Sequence, residues 1–234
     1  MRRGPNDGGG VAVPQLRFNS PPLRLLSYKN CNRNPSYPTT PYWIAPYSPR
    51  NMPEYAITDR LPLPNSSVQI PRLGFGVYRS PPAQCVQSCL TALKAGYRLI
   101  DTAQFYANEK EVGEAIRESG IPRSEIFVTS KILSPAGSLN DTYDKIVDSI
   151  NKIGGEDGYI DLFLIHSSRS GSSGRKMLWQ ALERLYEEGR LKSIGVSNFG
   201  MKHIEEMKEY AKVWPPHVNQ IEVSSAIPSV LYSC

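Results

Sequence analysis

Six short apolar runs recur along the chain at intervals of 24 to 34 residues. They begin near residues 73, 98, 126, 160, 193 and 217, and the stretches between them repeat apolar residues every three or four positions, the period of one helix face. An interval of this length suits one βαβ unit. Runs that are apolar on both faces are typical of a parallel sheet covered by helices. The pattern therefore predicts an α/β fold of about six βα units.

Glycine positions help to distinguish between two parallel architectures. A doubly wound nucleotide-binding sheet would place Gly-x-Gly-x-x-Gly after its first strand, but the residues after Gly74 and Gly76 contain no third glycine at that spacing. This favours a TIM-barrel-like (β/α)8 fold. Gly96 and Gly189 lie just before two of the apolar runs, where a left-handed residue commonly ends the preceding helix.

The first quarter of the chain differs in composition from the rest. Twelve of the 20 prolines precede residue 65, and proline disrupts long helices and central strands. Residues 1–53 carry seven Arg or Lys and one Asp, whereas the other 181 residues carry 20 basic and 21 acidic side chains. We therefore predict a disordered, basic, Pro-rich arm over residues 1–55. Mitochondrial targeting by this arm is a minor alternative, because its prolines oppose an amphipathic helix.

The chain has neither a membrane-spanning pattern nor an apolar stretch near Met1 that resembles a signal peptide. Cys85 and Cys89 are four residues apart on a predicted helix, which favours packing over a metal or redox role, and no His or second Cys pair stands at zinc spacing. These features predict a cytoplasmic protein with no metal site and no membrane partner. Because the charge excess is confined to the arm, we also expect no nucleic-acid partner.

Polar side chains end five consecutive predicted strands. Asp101, Lys131 and His166 end three of them, and the last two strands carry Ser197 with Asn198, and Asn219 with Gln220. In a parallel barrel the carboxyl ends of all strands meet on one face, where active sites are built. The pattern predicts an active site there, with a purely structural hydrogen-bond network as the alternative.

Tyr106 follows Asp101 by five residues, in a loop expected over the same face. A free Tyr titrates near pH 10, so it does not readily give up its proton at neutral pH. A neighbouring Lys131 ammonium would lower the pKa of the phenol, and Asp101 would keep that ammonium charged. His166 could donate to a carbonyl oxygen. The group is suited to protonating an alkoxide.

Several segments together resemble the aldo-keto reductase family over about residues 57–223. They are the stretch from Ile57 to Ile70, which resembles the hairpin at the barrel floor, and PRLGFGVYRS, RLIDTAQFYANEKEVGEAI, FVTSK, DLFLIH, GVSNF and VNQIE. The resemblance implies NADPH-dependent reduction of an aldehyde or ketone to an alcohol, with NADP(H) as cofactor. It implies four catalytic residues, namely Tyr106 as general acid, Asp101, Lys131 and His166. It also implies cofactor binding by Ser197, Asn198, Gln220, Asp101, Val77 and Tyr78.

The resemblance ends before the last two βα units of the family. We therefore expect an incomplete barrel over residues 56–223 and a non-family tail over residues 224–234. Six strands would leave the first and last as exposed edges, so we expect either a monomer or association through these edges. We further expect a chain of low stability that is weakly active or inactive.

Two other functions are compatible with the sequence. The chain could be a non-catalytic nucleotide-sensing or regulatory subunit, or an inactive truncated paralogue. Retention of Tyr106, Lys131, Asp101 and His166 favours the enzyme, because a scaffold has no need of a phenol beside a lysine.

Overall fold

A computed structural model describes residues 55–222. The predicted arm, apart from Tyr55, and the predicted tail over residues 224–234 lie outside these residues. Within the described part, none of the helices is long and apolar enough to cross a membrane.

Most of the strands form one parallel sheet in which each strand pairs with the next along the chain. Its strands are β3 (Phe75–Gly76), β4 (Leu99–Asp101), β5 (Phe127–Ile132), β6 (Leu162–Ile165), β7 (Ile194–Ser197) and β8 (Asn219–Gln220). Two earlier strands, β1 (Arg60–Pro62) and β2 (Gln69–Pro71), form an antiparallel hairpin. The six parallel strands curl into part of a barrel, which confirms the predicted (β/α)8-type fold with about six units. Within the described residues, β3 and β8 each have one neighbouring strand and are the sheet edges.

Five helices connect the parallel strands, as the 3.6-residue periodicity predicts. They are α1 (Pro82–Lys94), α2 (Glu109–Glu118), α3 (Leu139–Gly154), α4 (Gly171–Glu187) and α5 (Met201–Met207). Gly96 and Gly189 follow α1 and α4 with φ of 101° and 74°, left-handed values that favour glycine, so both predicted helix ends are confirmed.

Side chains of the parallel strands alternate between two cores. Val128 and Ile132 of β5, like Phe163 and Ile165 of β6, pack outwards against the helices. The inward-facing side chains form a smaller core, which Val68, Ile70 and Val218 partly cover; its buried members are Leu99, Phe127, Leu162 and Leu164. The β1–β2 hairpin thus lies against the inner core. The polar inward-facing side chains lie at the opposite end of the sheet, where the strands have their carboxyl ends.

Candidate active site

An open cavity of about 560 Å³ lies at the carboxyl ends of the parallel strands. Residues from the β3–α1 loop, the β4–α2 loop and the ends of β6, β7 and β8 surround it. The lining side chains are Tyr78, Arg79, Asp101, Phe105, Tyr106, His166, Ser197, Asn198, Gln220, Ile221 and Glu222.

Lys131 lies beneath the cavity and contacts the residues of the adjacent β4 segment. Its Nζ donates to Oδ1 of Asp101 at 2.5 Å and to the carbonyl oxygen of Thr102 at 3.1 Å, and it lies 3.5 Å from the Tyr106 hydroxyl. An ammonium has three N–H donors, and these three contacts account for all of them. The parallel pairing of Asp101 with Thr129 places the two strands in the register that permits this contact.

Burial determines the electrostatics of this lysine. The Lys131 side chain is 2% exposed, against 17% for Asp101. Desolvation lowers the pKa of Lys131, because the charged form loses its hydration, while the adjacent Asp101 carboxylate acts in the opposite direction. Asp101 therefore stabilises a positive charge that burial alone would disfavour.

The pKa of the Tyr106 phenol differs in direction from the sequence-based expectation. A lowered pKa was predicted from the neighbouring lysine, but the pKa of Tyr106 is raised to about 12. Burial is the largest cause, and the negative charges of Asp101 and Glu222 oppose phenolate formation, as would ionisation of Tyr78. The expectation failed because it counted the lysine and left out desolvation. The phenol is thus protonated at neutral pH, in the form that donates a proton.

His166 lies immediately after β6, where its backbone N–H donates to the Ile132 carbonyl at 2.8 Å. Its ring meets the Tyr106 ring edge-on, with centroids 5.6 Å apart and 76° between the planes. Burial lowers the pKa of His166, and the Lys131 charge acts in the same direction. Nδ1 is buried without a hydrogen-bond partner among residues 55–222. An imidazolium would leave an N–H donor unpaired there, so the neutral ring is favoured.

The three amide and hydroxyl residues predicted near the cofactor also come together. Ser197 Oγ donates to the Gln220 carbonyl oxygen at 2.9 Å, and Asn198 Nδ2 donates to Ser197 Oγ at 3.2 Å. Gln220 extends further across the cavity, because its Nε2 donates to Oδ2 of Asp101 at 2.9 Å. The predicted catalytic and amide groups therefore form one connected cluster.

The two predicted residues of the β3–α1 loop have different environments. Tyr78 is 56% exposed, lines the cavity and lies 4.9 Å from the Tyr106 ring, centroid to centroid. Val77 is 1% exposed, belongs to the helix-side core and does not line the cavity. Val77 directly follows β3, whereas Tyr78 lies in the turn after it, so the two side chains face different sides of the sheet.

Some lining residues were not predicted from the sequence. Arg79 directly follows the predicted Tyr78, and Phe105 directly precedes the predicted Tyr106. Glu222 is two residues after Gln220. Their positions in loops that follow strand ends were a usable signal. Arg79, Ala107 and Asn198 also share left-handed backbones, with φ of 60°, 56° and 56°. Non-glycine residues in this region carry strain that commonly accompanies functional sites.

The cluster could hold the carboxamide of a nicotinamide. Among residues 55–222, Oε1 of Gln220 accepts no hydrogen bond, and Asn198 Nδ2 uses one of its two N–H donors. A carboxamide supplies both N–H donors and a carbonyl acceptor, so these groups are complementary to it. Arg79 is the single cationic side chain that lines the cavity in the described part of the chain.

A curled parallel α/β sheet in which each strand pairs with the next along the chain, with ionisable side chains at the carboxyl ends of its strands, is the arrangement of the (β/α)-barrel class of enzymes. The chain matches the model of the Aldo/keto reductase family over residues 72–229. It therefore belongs to this family of oxidoreductases.

Individual relatives agree with the family match. The chain is 42% identical over 163 residues to the 9,11-endoperoxide prostaglandin H2 reductase of Trypanosoma cruzi (strain CL Brener), covering 68% of this chain and 55% of that protein. It is 39% identical over 159 residues to the glyoxal reductase of Bacillus subtilis (strain 168), covering 68% of this chain and 56% of that protein. The chain thus spans little more than half the length of these relatives.

Solved structures of the family share the fold. An aldo/keto reductase from Brucella melitensis superposes with a TM-score of 0.66 at 42% identity, covering 71% of this chain and 63% of that one. An aldo-keto reductase from Bombyx mori, solved in complex with NADP, gives a TM-score of 0.64 at 31% identity, covering 72% and 59%.

Proposed function

We propose that the protein is an NADPH-dependent reductase that converts an aldehyde or ketone to an alcohol, with Tyr106 as the general acid. The observation that carries this proposal is the convergence of the Tyr106 hydroxyl, the buried Lys131 ammonium and the Asp101 carboxylate beside one cavity. A phenol whose pKa is raised to about 12 holds its proton at neutral pH, as a proton donor to a developing alkoxide must.

Each side chain of the cluster has a distinct part in this chemistry. Transfer of the Tyr106 proton to the substrate oxygen leaves a phenolate, and Lys131 at 3.5 Å would offset that negative charge. Asp101 keeps Lys131 charged within its buried position. In neutral His166 the proton would reside on Nε2, because Nδ1 is buried without an acceptor in residues 55–222, so Nε2 would orient the carbonyl oxygen.

A bound NADPH would supply the hydride for the carbonyl carbon. Ser197, Asn198 and Gln220 would hold its carboxamide, because their unused amide donors and acceptor complement that group. The cofactor bound by the Bombyx mori relative supports the choice of NADP(H).

Consumption of NADPH in the presence of a panel of aldehydes and ketones tests this proposal. We expect turnover by the parent protein and loss of most of it in Tyr106→Phe, with unchanged circular dichroism, since one hydroxyl at a cavity wall is removed. Tyr143→Phe is the matched control: its hydroxyl contacts Glu188 on the helical layer, 2.6 Å away, rather than the cavity. Equal kcat values for Tyr106→Phe and Tyr143→Phe would reject Tyr106 as the acid.

A further inference from the structure

Asn108 stands at the N-cap of α2 and does not cap it. At this position an Asn side chain commonly accepts a hydrogen bond from the first turn of the helix. Here the side chain makes no such bond, although Asn108 is 0% exposed. The helix forgoes a stabilising interaction, and the amide is directed elsewhere.

The Asn108 amide connects the β4–α2 loop, to which Asn108 and Thr102 both belong, with the β3–α1 loop. Its Oδ1 accepts from the Thr102 hydroxyl at 2.8 Å, and its Nδ2 donates to the carbonyl oxygens of Val77 at 2.9 Å and Ser80 at 3.2 Å. Both N–H donors are therefore used. Because the group is fully buried, loss of any partner would leave a polar atom unpaired away from water.

Each of these partners lies next to a residue of the cavity. Val77 and Ser80 bracket the pair Tyr78–Arg79, which lines the cavity. Thr102 follows Asp101, and its carbonyl oxygen accepts from Lys131 Nζ at 3.1 Å. Asn108 itself is two residues after Tyr106, beyond the left-handed Ala107. One side chain thus joins the loop that carries Tyr78 to the loop that carries Tyr106 and to the support of Lys131.

We propose that Asn108, through Thr102 and the Val77–Ser80 turn, is a positioning residue that sets the placement of Tyr106 relative to Lys131 and Tyr78. This inference rests on the proposed role of Tyr106 as the acid. Asn108 does not line the cavity and acts through the backbone that it holds. Misplacement of a reacting group by even one ångström has large effects on rate. Ser197, Asn198 and Gln220, proposed to hold the cofactor carboxamide, are not among the hydrogen-bond partners of Asn108 and Thr102 in the described residues.

Substitutions of Thr102 test the link with little change of shape. Thr102→Val removes the hydroxyl that donates to Asn108, and Thr102→Ser retains it. Thr142→Val is the matched control, because Thr142 is also 0% exposed and its hydroxyl, among residues 55–222, bonds to Ala136 and Ser138 just before α3 and to Met177. We expect Thr102→Val to lower kcat about ten-fold or more with little change in NADPH affinity, Thr102→Ser to restore it, and Thr142→Val to retain it.

Asn108→Asp gives a second test, since it keeps the acceptor for Thr102 and loses both donors to the β3–α1 loop. We expect a fall in kcat at least as large as that of Thr102→Val. If the kcat loss in Thr102→Val is no larger than that in Thr142→Val, the positioning role is overturned, whether or not Asn108→Asp folds.

A spectroscopic measurement separates this inference from the proposed function. In protein with ¹³C-labelled tyrosine, the ring resonances of Tyr78 and Tyr106 should shift in Thr102→Val and stay in place in Thr142→Val. An inactive parent protein with these shifts would reject the proposed function and keep the positioning role. Unshifted ring resonances in Thr102→Val would reject the positioning role even in an active parent.

Discussion

Gln220 Nε2 lies 2.9 Å from Oδ2 of Asp101, although the two residues are 119 positions apart. The other oxygen of that carboxylate accepts from Lys131 at 2.5 Å. Curvature of the sheet brings the last described strand, β8, across the cavity from β4. The carboxylate is therefore held from both sides, by a cation and by an amide.

Gln220→Glu should place two carboxylates against each other at this point. We expect repulsion to turn Asp101 away from its present position and to lower kcat about ten-fold or more, because Lys131 loses its oriented partner. Gln87→Glu, on the exposed face of α1, controls for the added charge. Steady-state kinetics of the two variants check this expectation, and similar kcat values in both would contradict it.

The Lys131–Asp101 and Lys152–Asp148 pairs have the same 2.5 Å separation and very different surroundings. The first pair is 2% and 17% exposed, and the second, on α3, is 44% and 60% exposed. We expect Asp101→Asn to cost about 3 kcal/mol in the free energy of unfolding, since it leaves a buried ammonium without its carboxylate. Asp148→Asn should cost less than about 1 kcal/mol. Urea denaturation measures both, and equal costs would show that burial does not govern the first pair.

The rate of carbonyl reduction should be insensitive to pH around neutrality. The acid must be protonated to act, and a Tyr106 pKa of about 12 keeps it so until strongly alkaline pH. Burial lowers the pKa of His166 from its ordinary value of 6.5, so the ring is neutral at pH 7 and above. We expect kcat for reduction to be flat from about pH 7 to about pH 8. A decline in kcat centred within that range would contradict one of these assignments.

Glu109, 3% exposed at the start of α2, should make stability depend on pH. Burial raises its pKa, while the Ser130 and Ser149 hydroxyls, at 2.5 and 3.1 Å, act in the opposite direction. A carboxyl whose pKa is raised in the folded state favours folding at low pH, and this advantage is lost as pH rises from the ordinary value of 4.5 through the folded pKa.

We therefore expect the free energy of unfolding of Glu109→Gln, relative to the parent, to increase as pH rises above the ordinary carboxyl value of 4.5. Glu114→Gln, on the exposed face of the same helix, is the control. Denaturant titrations at several pH values check the trend, and a constant difference between Glu109→Gln and the parent would refute it.

The strand order and the polar strand ends could be predicted from the sequence because both follow from local periodicity. Asp101, Lys131 and His166 occupy the predicted ends, since the register of a parallel sheet aligns successive strands. By contrast, the Gln220–Asp101 contact depends on the curvature of the whole sheet, which no local pattern encodes.

Two further features of the structure also depend on tertiary contacts and not on local sequence. The direction of the Tyr106 pKa shift depends on burial, a property of the assembled loops. The Gly- and Ser-rich start of α4 favours a loop by propensity but forms helix from Gly171, where Arg175 binds Glu206 of α5 and the carbonyl of Ser168. Tertiary contacts override weak local preferences at such positions.

Ala107, between Tyr106 and Asn108, adopts a left-handed backbone. At this position, selection for stability and selection for turnover favour different residues. Glycine would remove about 1 kcal/mol of strain there and would also free the chain beside the phenol. Variants sorted for heat resistance should therefore accumulate glycine at position 107, whereas variants sorted for turnover should keep alanine. A more heat-resistant protein and a faster enzyme would therefore evolve different residues at position 107.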